Sequence, residues 1–278
     1  MSAFPSTAAL IARQARYQIL YFFRVPAALF FTLLLPIIIL VLFNALFGDN
    51  EVSTPEGDWP IRQFYTGGLA AYTAVSATYS NLGNMVPIRR DEGILKRWRS
   101  TPLPAWAYIA GLVVSSIVLA LASVVLMMTM GVVLYGLEID VAKLPAAVVT
   151  LLIGVAAFAA LGMALVSVIR SAEAAAAVVN ATILPLAFIS DVFIATEDEG
   201  FLHAIASVFP LQPFVNAFQD CFNPLIDGSG FAPAKLAVVA AWGLVGAVIA
   251  VKRFTWEPSG SPGRRGRRRR SEAVDAAV

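Results

Sequence analysis

Two stretches of this chain hold residue types at spacings that could do chemistry, and in both the chemistry is recognition rather than bond making. From Pro87 to Pro104 the sequence reads Pro-Ile-Arg-Arg-Asp-Glu-Gly-Ile-Leu-Lys-Arg-Trp-Arg-Ser-Thr-Pro-Leu-Pro. Ile94, Leu95 and Trp98 stand among charges there, a pattern suited to docking a soluble partner. Arg89 to Arg99 is predicted to form one short helix, which Thr101-Pro102-Leu103-Pro104 stops and redirects. The second stretch is a stripe. Thr73, Ser76, Ser80 and Asn84 follow at three- and four-residue steps, so one helical face carries all four. Such a stripe either packs helices closely through small hydroxylated side chains or lines a path for a polar solute. Asn180 and Thr182, with Pro185, repeat the pattern more weakly.

Catalytic chemistry is poorly provided for. No G-x-x-x-x-G-K-[ST] loop is present to cradle a nucleotide. One histidine, His203, rules out a His-cluster metal site, and one cysteine, Cys221, rules out an intramolecular disulfide. No G-x-S-x-G or paired-aspartate setting occurs within the apolar runs. These residue types argue against an enzyme, a bound cofactor or a resident metal. A net charge of +2 with no distributed basic face argues against nucleic-acid binding.

The elements that must position these stretches are membrane helices. Only 14% of the 278 residues are charged and 59% are apolar by type, too few charges to cover a water-soluble surface. Mean hydropathy is +0.76. Runs long enough to cross the bilayer predict six spans, at about 25–47, 64–86, 106–136, 145–169, 174–194 and 235–252. A seventh candidate, 201–219, is set aside because Pro210 and Pro213 would leave backbone groups unsatisfied in lipid. Two short interfacial or re-entrant helices are expected there instead. Residues 1–24 read as a cytoplasmic helix lying in the interface, with Arg13 and Arg16 beside Leu10, Tyr17 and Leu20. Residues 257–278, rich in Gly, Pro, Ser and Arg, read as a disordered basic tail. No cleaved leader is expected, because the first apolar run is too long. The fold class is thus an all-α polytopic membrane protein.

Cation placement predicts that both termini are cytoplasmic. With six spans, all of the 20 Lys and Arg except Arg62, Lys143 and Lys235 then lie inside. Acids lean the other way, with Asp49, Glu51, Glu56, Asp58, Glu138, Asp140 and Glu197 to Glu199 outside. Ionisable groups are nearly absent from mid-span. A gradient-driven transporter ordinarily keeps such groups there, so any energy for transport is expected from elsewhere.

The 87–104 stretch resembles that of the ABC-2 family of ATP-binding-cassette exporter permeases, including the daunorubicin-resistance type of drug-efflux permease. Arg90, Glu92, Gly93, Leu95, Arg97, Ser100, Thr101, Pro102, Leu103, Trp106 and Gly111 match the family pattern in order. Ile94 stands where Thr is often found. Phe209-Pro-Leu-Gln-Pro-Phe resembles the family's Pro-x-x-Pro-Phe stretch before the last span. The resemblance makes 25–256 an ABC-2 transmembrane domain.

It also implies a mechanism. Two permease chains, as homo- or heterodimer, would pair with two separate ABC ATPase subunits that hold ATP and Mg²⁺, this chain binding neither. Arg90, Glu92, Gly93, Leu95, Arg97, Trp98 and Arg99 would couple ATPase motion to the spans, with Leu95 and Trp98 as apolar anchors. Thr73, Ser76, Ser80, Asn84 and Asn180 would contact a drug, lipid or glycoconjugate on its outward path through a bacterial plasma membrane. Two other classes stay open: a passive channel or scaffold that uses the loop only as a topogenic signal, and a gradient-driven transporter.

Overall fold

The structure, a computed structural model, describes residues 6–48, 50–54, 57–99, 105–169, 171–193 and 200–254. The Thr101-Pro102-Leu103 motif, Arg170, Glu197 to Glu199 and the 257–278 tail lie outside these, as do the side chains of Trp98 and Arg99.

Helix α1 is Thr7–Phe23, capped by the Ser6 hydroxyl, which accepts from Ala9 N. It stops at Arg24 and packs along the third long helix, burying Gln14, Ala15, Gln18 and Phe22. Pro26 opens α2, Pro26–Phe47, because a proline at the first position loses no helical hydrogen bond. Within α2, Phe30–Leu34 widens into a π-turn directly before Pro36. Proline lacks an N–H and its ring crowds the carbonyl four residues back, and the widened turn absorbs both faults. A two-stranded hairpin follows, β1 (Glu51–Thr54) antiparallel to β2 (Gly57–Pro60), with Trp59 buried against Phe64.

Helix α3 runs unbroken over 61–91 as Ile61–Val75, a π-turn Ser76–Ser80 and Asn81–Asp91. Helix α4 is Ile94–Arg99 and α5 is Ala105–Tyr135. A 3₁₀ turn, Val141–Lys143, leads into α6, Leu144–Val168, and α7 is Ala172–Ile189. Two short helices, α8 (Phe201–Val208) and α9 (Leu211–Asp220), precede α10, Pro233–Arg253.

Five helices among the described residues are long and apolar enough to cross a membrane: α2, α5, α6 with its 3₁₀ lead, α7 and α10. Helix α3, the expected second span, has ample length, at about 1.5 Å per residue, but is not apolar enough to join them. The reason is position. It lies at the centre of the bundle, against α5, α6, α7 and α9, and most of 64–75 is buried. A helix shielded from lipid can carry Thr66, Thr73 and Thr78, whose hydroxyls donate to Arg62 O, Leu69 O and Ala74 O within the same helix. The expected fifth span, 174–194, ends at Ile189, and the chain then turns at Ser190–Asp191.

Small residues set the close approaches. Gly243 and Gly246 of α10 lie on Ala157 and the Leu161 backbone of α6. The sequence suggests Gly243 with Ala247 as the packing pair; the face used is Gly243 with Gly246, one step earlier. Gly154 of α6 faces the Phe214 ring of α9, and a Cβ there would collide with it.

The loops gather at two ends. One end holds α1, the α3–α4 turn and the α6–α7 turn. The other holds the hairpin, the turn before α6, and α8 with α9.

Candidate functional site

At the first end the predicted Arg89–Arg99 helix is broken in two. Helix α3 continues through Pro87 to Asp91, and Gly93 then turns at φ +71° before α4 begins. Gly93 N donates to Arg90 O and Arg97 N donates to Gly93 O, so the glycine both ends one helix and starts the next. The left-handed backbone favours glycine, with nothing crowding a Cβ at this position.

Arg89 and Arg90 do not reach solvent as residues of a basic loop would. Arg89 is 8% exposed; its Nη1 donates to Gln18 Oε1 at 2.6 Å and to the Tyr108 hydroxyl at 3.0 Å. Its guanidinium lies over the Tyr21 ring, 4.8 Å from the centroid. Arg90 is 2% exposed and donates to Ile169 O at 2.6 Å and Val166 O at 3.4 Å, the last carbonyls of α6. Asp91 accepts from Ala172 N at 2.6 Å, the first residue of α7. A cation thus meets a helix C-terminus and an anion a helix N-terminus, the favourable sense for both dipoles. One dipeptide ties α3 to both sides of the α6–α7 turn.

Leu95, expected as an apolar anchor for a partner, is fully buried among Leu82, Val86, Tyr108, Leu112, Met163 and Val166. It anchors α4 to the bundle, because its side chain points inward from so short a helix. Arg90 is likewise an internal clamp. The exposed groups of the segment are Glu92, Lys96 and Arg97. Phe254, just past α10, packs on the same cluster.

The polar stripe of α3 is brought together only in part. Thr73 is buried, while Ser76, Ser80 and Asn84 are half-buried, and the π-turn Ser76–Ser80 sits between them. Widening one turn shifts the residues that follow around the helix, which separates Thr73 from the rest. Asn84 Nδ2 donates to Ser80 O, and its Oδ1 is buried with no partner among the described residues. Asn180 is exposed on α7. The contact between α3 and α7 is instead made by Tyr79, whose hydroxyl shares a 2.8 Å hydrogen bond with Thr182.

A cleft of about 620 Å³ lies beside the α3–α4 turn, between α1, the first part of α2, α3 and α5. Gln14, Gln18, Asn81, Asn84, Arg89 and Glu92 contribute its polar lining, and Val25, Ala28, Met85 and Leu119 its apolar wall.

The opposite end holds a polar cluster that sequence reasoning missed. Asp191, at φ +56°, is 7% exposed and its Oδ2 accepts from Gln212 Nε2 at 2.9 Å and Asn216 Nδ2 at 3.1 Å. His203 Nδ1 lies 3.2 Å from the same Gln212 nitrogen. Gln219 Nε2 reaches Phe64 O and Asp191 O. The signal was available: Gln212, Asn216 and Gln219 recur at four- and three-residue steps, one face of α9. At this end all three cations excepted by the positive-inside count have partners. Arg62 Nε donates to Gly48 O, Lys143 Nζ donates to Asn223 O and Ile226 O, and Lys235 pairs with Asp220 at 2.6 Å. Cys221 is buried beside this cluster, and desolvation, with the nearby Asp220 charge, pushes its thiol up to about 11.

No curated protein matches the chain. Among known families, residues 9–223 match the ABC-2 type transporter, a stretch that takes in α1, the central helix, the α3–α4 turn and both short helices. That span is well over half of the sequence, and the chain belongs to the ABC-2 type transporter family.

Proposed function

We propose that this chain is the permease subunit of an ATP-driven ABC-2 exporter, pairing as a dimer and drawing its energy from a separate ATPase subunit. The observation that carries this reading is the α3–α4 turn. Glu92, Lys96 and Arg97 are exposed at the very end of the helix that runs through the middle of the bundle. A push on α4 is transmitted through Leu95 and the Arg90–Asp91 clamp to α3, α6 and α7 together. Packed interiors pass strain on rather than absorb it. ATP and Mg²⁺ belong to the partner, since this sequence has no phosphate-cradling loop of its own.

Six spans, with α3 as the second, put the α3–α4 turn and both termini on the cytoplasmic face of a bacterial plasma membrane. The half-buried face of Ser76, Ser80 and Asn84 then lies along the outward path, open to an amphipathic drug, lipid or glycoconjugate.

Coexpression of the tagged full chain with the soluble Walker A ATPase encoded beside it tests the reading. Stoichiometric recovery of both proteins, with ATP hydrolysis that supports efflux after an uncoupler is added, is the expected result. Efflux that collapses with the uncoupler while ATP is maintained would overturn it in favour of gradient-driven transport.

A further inference from the structure

The geometry points to the cleft beside the α3–α4 turn as a binding site for a zwitterionic phospholipid with a phosphoethanolamine head group. Two features of shape and polarity lead there. The outer half of α2, Leu35–Phe47, packs on α3, but the half from Pro26 to Leu34 makes its main contacts only with neighbouring parts of the chain. The cleft is the gap left by this stand-off. Its wall is apolar along the bundle axis and its polar groups collect at the end nearest the α3–α4 turn, the polarity order of a lipid chain and head.

Size and charge narrow the occupant. A volume of about 620 Å³ falls within the usual range for a small-ligand site. It takes a head group and the first part of a chain, the remainder passing the exposed Phe30, Phe31 and Leu34 of α2 into the bilayer. The lining carries one guanidinium, Arg89, and one carboxylate, Glu92. Among the described residues neither forms a salt bridge, and Arg89 uses only Nη1 for its hydrogen bonds to Gln18 and Tyr108. A phosphodiester complements the remaining guanidinium donors. A primary ammonium complements the exposed Glu92 and donates to amide oxygens such as the unpartnered Asn84 Oδ1. A purely anionic head would leave Glu92 opposed by like charge, and a quaternary head could not donate at all.

The test uses the purified full chain in detergent, without any ATPase, titrated with phosphatidylethanolamine, phosphatidylglycerol or phosphatidylcholine of matched chains and read by native mass spectrometry. One retained phosphatidylethanolamine, bound about tenfold tighter than the other two lipids, is expected. Glu92→Gln, at an exposed position, should bring phosphatidylethanolamine down to the phosphatidylglycerol level. Ala28→Trp should fill the apolar wall and weaken all three lipids alike. Equal binding of phosphatidylglycerol and phosphatidylethanolamine by the unaltered chain overturns the proposal, as does an unchanged preference in Glu92→Gln. Failure of ATPase recovery bears on the exporter reading alone, because this measurement contains no ATPase.

Discussion

Arg90 donates from Nη2 to the carbonyl oxygen of Ile169, 2.6 Å away, across the end of α6. The guanidinium is 2% exposed, so the bond is desolvated and the carbonyl has no ready substitute. Arg90→Leu should therefore lower stability by about 2–3 kcal/mol. Denaturant or thermal unfolding of the detergent-purified chain reads the loss. Arg90→Lys, which cannot span both Ile169 O and Val166 O with one planar group, should recover only part of it.

The same segment separates partner binding from folding. Leu95→Ala removes a fully buried side chain and should cost about 2–5 kcal/mol of stability. Arg97→Glu changes an exposed residue, so unfolding should be unaltered while ATPase recovery on pull-down falls. Trp98→Ala should act in the second way, at about thirtyfold in affinity for a loss of about 2 kcal/mol. Wild-type ATPase recovery in both Arg97→Glu and Trp98→Ala would reduce the turn to a topogenic signal.

Gly93→Ala keeps the space but not the backbone. A left-handed residue with a Cβ costs about 1–2 kcal/mol, and at φ +71° that cost falls on the turn between α3 and α4. Transport coupled to ATP should fall further than thermal stability does. Equal losses in both would show the turn to be structural alone.

Gly154 and Phe214 form a lock between α6 and α9. Gly154→Ala should destabilise by about 1–3 kcal/mol through overpacking. Phe214→Leu in the same chain should restore part of that loss, and a double-mutant cycle with additive effects would refute the contact.

Topology can be read through the single cysteine. Burial raises the Cys221 thiol to about 11, so it stays protonated from pH 7 to 9 and forms thiolate only as pH approaches that value. Maleimide should leave the native chain unlabelled across that range and label it after unfolding. Against this silent background, Glu199→Cys should label from outside intact cells and Ser271→Cys should not. The reverse pattern would invert the proposed orientation.

Apolar runs, prolines and charge placement made the helices legible, because length and hydropathy are local properties of sequence. Helix α3 shows where local reading ends. Its hydroxyls read as a stripe at regular α spacing, but the π-turn at Ser76–Ser80 moves Thr73 off that face. Arg89 and Arg90 read as solvated because of their type. Their burial depends on Gln18, Tyr108 and the α6 carbonyls, brought up from as far as 79 residues away. Leu95 reads as exposed because charges flank it, and only the packing of α3 on α5 and α6 supplies the pocket it fills. The hairpin of β1 and β2 escaped notice because four-residue strands leave too little alternation to detect.

The three cations at the hairpin end have a consequence for how the protein meets its bilayer. Arg62 and Lys143 are engaged by backbone carbonyls and Lys235 by Asp220. At the other end Arg13, Arg16, Arg24, Lys252 and Arg253 are exposed. Anionic lipid attracts juxtamembrane cations at about 1 kcal/mol each, so this attraction acts at one face and has little to grip at the other. Electrically the molecule is a one-sided adhesive.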